Sequence, residues 1–261
     1  MRYDLDDRML VCLDYECAPY GLAVLGALPL EDRPVPFPTP MHPEKDQAGF
    51  SHLIVIADGL FGRDLWPCFR QSAFYDPRPQ QDPLDRWTKD KVSRIAATYQ
   101  AWAIFPFEGP PYYPFQRWAQ QIDAAIKPSP LGVLFHPQAG VWWGLRAALL
   151  TCETVKTGPY RGARALELGK GTTAPDSEPL GCDHCVEKPC LQACPAQALA
   201  QTGIGSYPFD LGRCRRHIAT DAGKPCWETG CLARHACPYG TPYPVERLAF
   251  HMRAAVQCFG G

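Results

Sequence analysis

Gly181-Cys182-Asp183-His184-Cys185-Val186-Glu187-Lys188-Pro189-Cys190-Leu191-Gln192-Ala193-Cys194-Pro195 is the stretch around which the chain is organised. Its spacing is Cys-x2-Cys-x4-Cys-x3-Cys-Pro. So dense a run of thiols does not make a hydrophobic core, and neighbours this close crowd the geometry that disulfides need. Thiolates are metal ligands, so a metal centre is the natural reading. A second set follows: Cys214 alone, then Cys226, Cys231 and Cys237, the last again followed by a proline, Pro238. Two sets of four cysteines suffice for two [4Fe–4S] clusters. Structural zinc also takes Cys quartets. Zinc ribbons, however, set two Cys-x2-Cys knuckles well apart, and no Cys-Pro ending is expected there. Iron–sulfur therefore ranks above zinc, and both rank above disulfides.

The Cys-Pro endings resemble those of bacterial two-cluster ferredoxins, in which the fourth Cys of a run ligates the other cluster. That resemblance implies crossed ligation. Cys182, Cys185, Cys190 and Cys237 would hold one cluster, and Cys194, Cys214, Cys226 and Cys231 the other. The usual x2 between second and third ligands is x4 at Cys185 to Cys190, and the second set runs x4 then x5. Loops tolerate such insertions. Cys214, following Asp210-Leu-Gly-Arg, also resembles the second-cluster arrangement of epoxyqueuosine reductases and reductive dehalogenases. Both families pair two clusters with a cobalamin.

The chain has 261 residues, long enough for two domains, and its 46% apolar content suffices for a packed core. With a formal net charge of −1, nothing suggests a general binder of nucleic acid or anionic membrane. The start, Met1-Arg-Tyr-Asp-Leu-Asp-Asp, is acidic and lacks a signal-peptide pattern. The early apolar run Gly21 to Leu30 is too short to span a bilayer. A soluble cytoplasmic protein is expected. Of the thirteen cysteines, Cys12, Cys17, Cys68, Cys152 and Cys258 fall outside the two sets. They read as small hydrophobes rather than reactive thiols.

In chain order, residues 11–30 read as an amphipathic opening element and 31–49 as a Pro-rich, charged loop. Leu53-Ile-Val-Ile-Ala reads as a buried strand, and Arg63 to Ser72 as a helix. After a break at Pro79 to Pro83, Asp82-Pro83 opens a helix to about Tyr99, burying Leu84, Trp87, Val92, Ile95 and Ala96. Ala101 to Phe107 reads as a strand, Tyr112 to Ile126 as helical after Pro114, and Leu131 to His136 as a further strand. Val141 to Leu150 fits a strand or a helix start equally. Pro244 to Gln257 closes the chain as a helix. The alternation argues a layered α/β or α+β fold. The expected division is a domain over 1–165, a polar linker over 166–180, a cysteine module over 181–240 and a C-terminal helix over 241–261.

Five stretches, met in order across residues 10–155, resemble the CblC-type cobalamin-processing proteins. They are Cys17-Ala-Pro-Tyr-Gly-Leu; Leu53 to Leu65 with Pro67, Phe69 and Gln71-Ser72 after it; Asp82-Pro83-Leu84-Asp85; Tyr112-Tyr113 with Gln116-Arg117; and Gly132-Val-Leu-Phe-His136-Pro137-Gln-Ala-Gly140-Val-Trp142-Trp143-Gly-Leu-Arg146. The resemblance implies an α+β fold, with a nitroreductase-like N-terminal domain and a small bacterial-ferredoxin-like two-cluster domain after it. It implies a cavity that takes cobalamin base-off. The residues it places there are Ile95, Ile104, Phe105, Phe107, Tyr112, Tyr113, Gln116, Leu134, His136, Leu145 and Arg146. Taken without the resemblance, Ile95, Leu134 and Leu145 are ordinary core residues, and His136 is a turn histidine. Arg146 is the informative one, because a guanidinium in an apolar stretch needs an anionic or carbonyl partner. Of Trp142 and Trp143, one is expected to pack inward and the other against the neighbouring domain.

CblC-type proteins draw electrons from glutathione or a flavin, whereas here the region beyond residue 165 carries the cysteine module. The expected function is an iron–sulfur corrinoid reductase with two [4Fe–4S] clusters and cobalamin as cofactors. An external low-potential donor (a flavodoxin, ferredoxin or reductase) would feed the clusters. They would reduce cobalt and remove its upper ligand. No catalytic residue is identified. Two alternatives stand: a cobalamin-dependent reductase of an organic substrate, and an electron-transfer ferredoxin whose N-terminal domain docks a partner.

Overall fold

The apolar run Leu53 to Ala57 exposes no more than 1% at any position, and the sheet grows outward from it on both sides. The structure, a computed structural model, describes residues 8–30, 49–78, 82–161 and 181–259, with 254–259 as backbone only. The elements in order are α1 (Arg8–Cys17), β1 (Leu22–Pro29), β2 (His52–Asp58), α2 (Trp66–Arg70), α3 (Pro83–Thr98), β3 (Trp102–Ile104), α4 (Phe115–Ile122), β4 (Lys127–Pro128), β5 (Leu134–Phe135), β6 (Gly144–Thr151), β7 (Gly158–Pro159), α5 (Pro189–Gln192), α6 (Leu211–Ile218), α7 (Lys224–Thr229), α8 (Leu232–His235) and α9 (Val245–Phe259). The class is mixed α+β. The expected linker at 166–180, the loop at 31–48 and the Cys258 side chain lie outside the described residues. Among the described residues no helix is long and apolar enough to cross a membrane.

Strand order in the main sheet is β3-β6-β2-β1-β7, and every pairing is antiparallel. Because all of β2 is buried, its sequence is a continuous apolar run rather than an alternating one. The opening segment divides at Gly21 into α1 and β1, so the expected single element is two. Helix α3 buries the expected face: Leu84, Trp87, Val92, Ile95 and Ala96 are all buried. The Val141 to Leu150 ambiguity resolves as β6, which pairs with β2 along its whole length.

The chain forms two compact units, each assembled from separated stretches. One draws on the described residues within Met1–Phe74, Leu84–Ala124 and Gly144–Asp176, the other on those within Tyr75–Pro83, Ala125–Trp143 and Ser177–Gly261. Residues 125–143, expected in the first domain, thus fold with the cysteine module, as does α9. The physical reason is a shared core, in which Phe135, Val141 and Trp142 pack with Tyr243 and Leu248.

A bidentate ion pair ties the first unit together. Arg63 donates from Nη1 to Asp14 Oδ1 at 2.6 Å and from Nη2 to Asp14 Oδ2 at 2.7 Å. The same Nη1 reaches Leu22 O at 2.7 Å, and Asp14 Oδ1 also accepts the Val24 amide at 3.0 Å. Helix α1, strand β1 and the loop after β2 are thereby held by two side chains that are each 11% exposed. Arg63→Met strands the Asp14 carboxylate in a largely buried site and should lower stability by about 3 kcal/mol. A fall in the urea midpoint with unchanged slope is the check.

Candidate metal centres

Cys182 and Cys185 sit on a tight loop whose Cys185 amide donates to Gly181 O at 3.2 Å, Cys190 lies in α5, and Cys237 follows α8. Their thiols lie within electrostatic reach of one another. Burial first, then Cys237, Cys190 and Cys185, push the Cys182 thiol from the ordinary value of 9.0 up to about 12. Cys190 is raised by burial and by Cys237 and Cys185, and Cys237 by burial and by Cys185. The second group forms the same way. Burial, then Cys231, Cys194 and Cys226, push Cys214 up to about 11. Cys226 is raised by burial and by Cys231 and Cys194, and Cys231 by burial and by Cys194. The thiol neighbours acting on each of these cysteines come from its own group: 182, 185, 190 and 237 in one, 194, 214, 226 and 231 in the other.

Local structure explains how each thiol is placed. Lys188 opens α5 with a left-handed φ of 40°. Its ammonium folds back to donate to Cys182 O at 2.9 Å and Cys185 O at 2.8 Å. The two additional residues between Cys185 and Cys190 therefore bring a cation across the first loop. Asp183 accepts from the Gly205 amide at 3.0 Å and from the Tyr207 hydroxyl. Burial, the bond to Asp183 and the nearby Cys182 and Cys190 push the Tyr207 phenol upward. Cys214 rides on α6, whose Asp210 cap accepts the Arg213 amide at 2.8 Å. Backbone amides also face the sulfurs: Ala198 N–H lies 3.4 Å from Cys194 Sγ, and the amides of Arg234 and Ala233 oppose the rise at Cys231.

The hairpin at 134–143 forms the floor of this unit. Cys182 and Cys237 pack against the Phe135, Val141 and Trp142 core. His136 and Gly140 exchange backbone bonds at 2.8 Å each. The segment after Cys237 presses on this turn so closely that a Cβ on Gly240 would stand 2.1 Å from Ala139 O, and one on Gly140 2.2 Å from Tyr239 O. Both glycines also have positive φ, 81° and 59°, so no other residue fits either position well. Trp142 and Trp143 are both buried, 1% and 4% exposed. Trp143 Nε1 donates to Leu134 O at 2.8 Å, and Trp142 stacks under Arg234.

The cofactor candidates divide between the units. Leu134 and His136 belong to the cysteine-bearing unit, where both are buried; the His136 Nδ1 accepts the Gln138 amide at 3.2 Å. The other nine lie in the sheet-bearing unit. Ile104 and Phe105 expose 0% and 1%, and Ile95 and Tyr113 are also buried, so these four serve as core. Phe107, Tyr112, Gln116, Leu145 and Arg146 retain surface to offer a ligand. The Arg146 guanidinium meets Asp58, 0% exposed, at 3.4 Å through both Nε and Nη2. Gly144 makes room for this carboxylate: a Cβ there would lie 2.8 Å from Asp58 Oδ1. Asp58 was legible only as the residue ending an apolar run. Lys188, Arg234 and Asp183 carried no signal beyond their closeness to cysteines.

Among the described residues, no three His, Cys, Asp or Glu side chains converge tightly enough to hold a single metal ion. The quartets are therefore groupings of thiols rather than finished coordination spheres. As all-cysteine, partly buried donor sets with amides facing sulfur, they fit iron–sulfur clusters. No protein-family model matches the chain, and no curated protein matches it.

Raised thiol values make the metal-free fold sensitive to alkali. The folded state keeps protons that the unfolded chain releases, so this contribution is intact below pH 9 and is lost as pH rises toward about 12. Urea midpoints of metal-free protein should fall between about pH 8 and about pH 10.5, and fall less in Cys182→Ala. Gly240→Ala should displace Cys237 from its quartet. Iron content after reconstitution should drop to about half, with the second quartet still loaded.

Proposed function

We propose that this protein is a two-cluster iron–sulfur reductase that binds a corrinoid base-off and reduces its cobalt, removing the upper axial ligand. The observation that carries the electron-transfer part is the crossed grouping of eight thiols. Each Cys-Pro cysteine sits with the other set: Cys194 with Cys214, Cys226 and Cys231, and Cys237 with Cys182, Cys185 and Cys190. Chain order alone would put Cys194 in the first group and Cys237 in the second. When bound, the clusters would supply single electrons, and the corrin cobalt would accept them with release of an upper ligand such as cyanide as its anion.

The chain's own residues have three tasks in this reading. The cysteines surrender their protons and ligate. Lys188 holds the Cys182–Cys185 loop closed around its quartet. In the sheet-bearing unit, Phe107, Tyr112, Gln116, Leu145 and Arg146 would meet the corrinoid, a role supported by their likeness to CblC-type proteins. The burial of Ile104 and Phe105 favours a second reading, an electron-transfer protein whose sheet-bearing unit docks a partner. Asp58 points the same way, since it already supplies the anion that Arg146 requires.

Cyanocobalamin added to anaerobically reconstituted protein separates the two. The corrinoid reading expects a visible-spectrum shift to the base-off form, then reduction of the cobalt on adding a low-potential reductant. That reduction should be slowed at least tenfold in Cys194→Ala and Cys237→Ala. An unchanged cobalamin spectrum beside intact cluster absorbance would leave the docking reading.

A further inference from the structure

Helix α8 is only four residues long, and it spans the gap between a thiol of one quartet and a thiol of the other. Arg234 lies midway. Its amide donates to Cys231 O at 3.0 Å, and its carbonyl accepts the Cys237 amide at 3.1 Å. Its guanidinium is fixed at three points. Nε and Nη2 both donate to Val141 O, at 3.1 and 2.5 Å. The fork lies 4.9 Å from the Trp142 ring centre and 5.2 Å from that of Tyr243.

Lys188 and the arginines of α6 act differently. Lys188 bonds the loop carbonyls of the first quartet only. Arg213, Arg215 and Arg216 on α6 are exposed, so water and salt screen them. Arg234 is half-buried, three residues from Cys231 and three from Cys237, and its anchors Val141 and Trp142 belong to the core against which Cys237 packs.

We propose that Arg234 is a cation shared by the two metal centres, which raises both reduction potentials together and keeps them close enough for an electron to pass between them. This rests on the reading that the quartets hold iron–sulfur clusters. One electron enters a cluster without loss or gain of any other bond, and leaves one more negative charge there. A fixed cation within reach of both sites stabilises that charge at either. The three anchors keep its distance to each site constant. A merely structural Arg234 would hold Trp142 and Tyr243 apart and leave the potentials alone.

Redox titration of the anaerobically reconstituted full chain, with iron and sulfide measured first, tests this. In Arg234→Gln both potentials should fall, each reduction equilibrium weakening at least tenfold, which is about 59 mV for a one-electron couple. Arg234→Lys, which retains the charge, should restore most of both shifts. Lys188→Met should lower one potential only. If Arg234→Gln does not assemble, Arg234→His carries the same test. Relative to wild type, its two potentials should drop together as pH rises through the imidazole range near about 6.5. The proposal is overturned if only one potential moves, if neither does, or if Arg234→Lys falls as far as Arg234→Gln. Wild-type protein that takes up no iron or sulfide overturns the cluster reading itself, and the shared cation with it.

Discussion

Thiols crowded into two groups resist their own ionisation, and the cysteine-bearing unit is built around that constraint. Short helices and tight loops bury little apolar surface, so they do not hold eight sulfurs in place by themselves. The support comes from a hairpin drawn from the middle of the chain. Phe135, Val141 and Trp142 provide an apolar floor under Cys182 and Cys237. The carbonyl of Val141 anchors the guanidinium of Arg234, whose backbone bonds to both Cys231 and Cys237.

Four arginines are drawn at least partly out of water, each with a different device. Arg63 is satisfied by a carboxylate and a carbonyl, and Arg146 faces a carboxylate with no exposure. Arg234 uses a carbonyl and two aromatic faces. Arg247, fully buried, lies 3.5 Å over the Tyr243 ring. Tyr243 therefore meets two guanidiniums, an arrangement that a lysine's point charge would not reproduce. Stacking of this kind lets a loop-rich unit combine cation and core in one layer.

The stretch from Gly132 to Arg146 shows how one sequence serves two units. Its first half, through Trp143, folds under the cysteines. Its second half, from Gly144, enters the main sheet as β6 and places Arg146 beside Asp58. Read along the chain it looks like one motif belonging to one domain. The break falls at Trp143-Gly144, where the chain passes from a turn rich in aromatics to an apolar strand. Nothing in residue order marks which half packs where, because Phe, Val and Trp suit either core.

By itself the sequence determined what local chemistry can determine. Two cysteine sets, the continuous apolar run of β2 and the apolar face of α3 follow from residue type and spacing, which act over a few bonds. Even the crossed grouping was implied by the Cys-Pro endings, by likeness rather than by any length or period. Only the tertiary structure decided the rest. It brought Lys188 back over its loop, set Asp58 against Arg146 across neighbouring strands, and seated the Arg234 guanidinium on Val141, Trp142 and Tyr243. These contacts join residues up to about a hundred positions apart. Spacing along a chain carries no record of such partners, since a charge takes whichever counter-group the packed core leaves within reach.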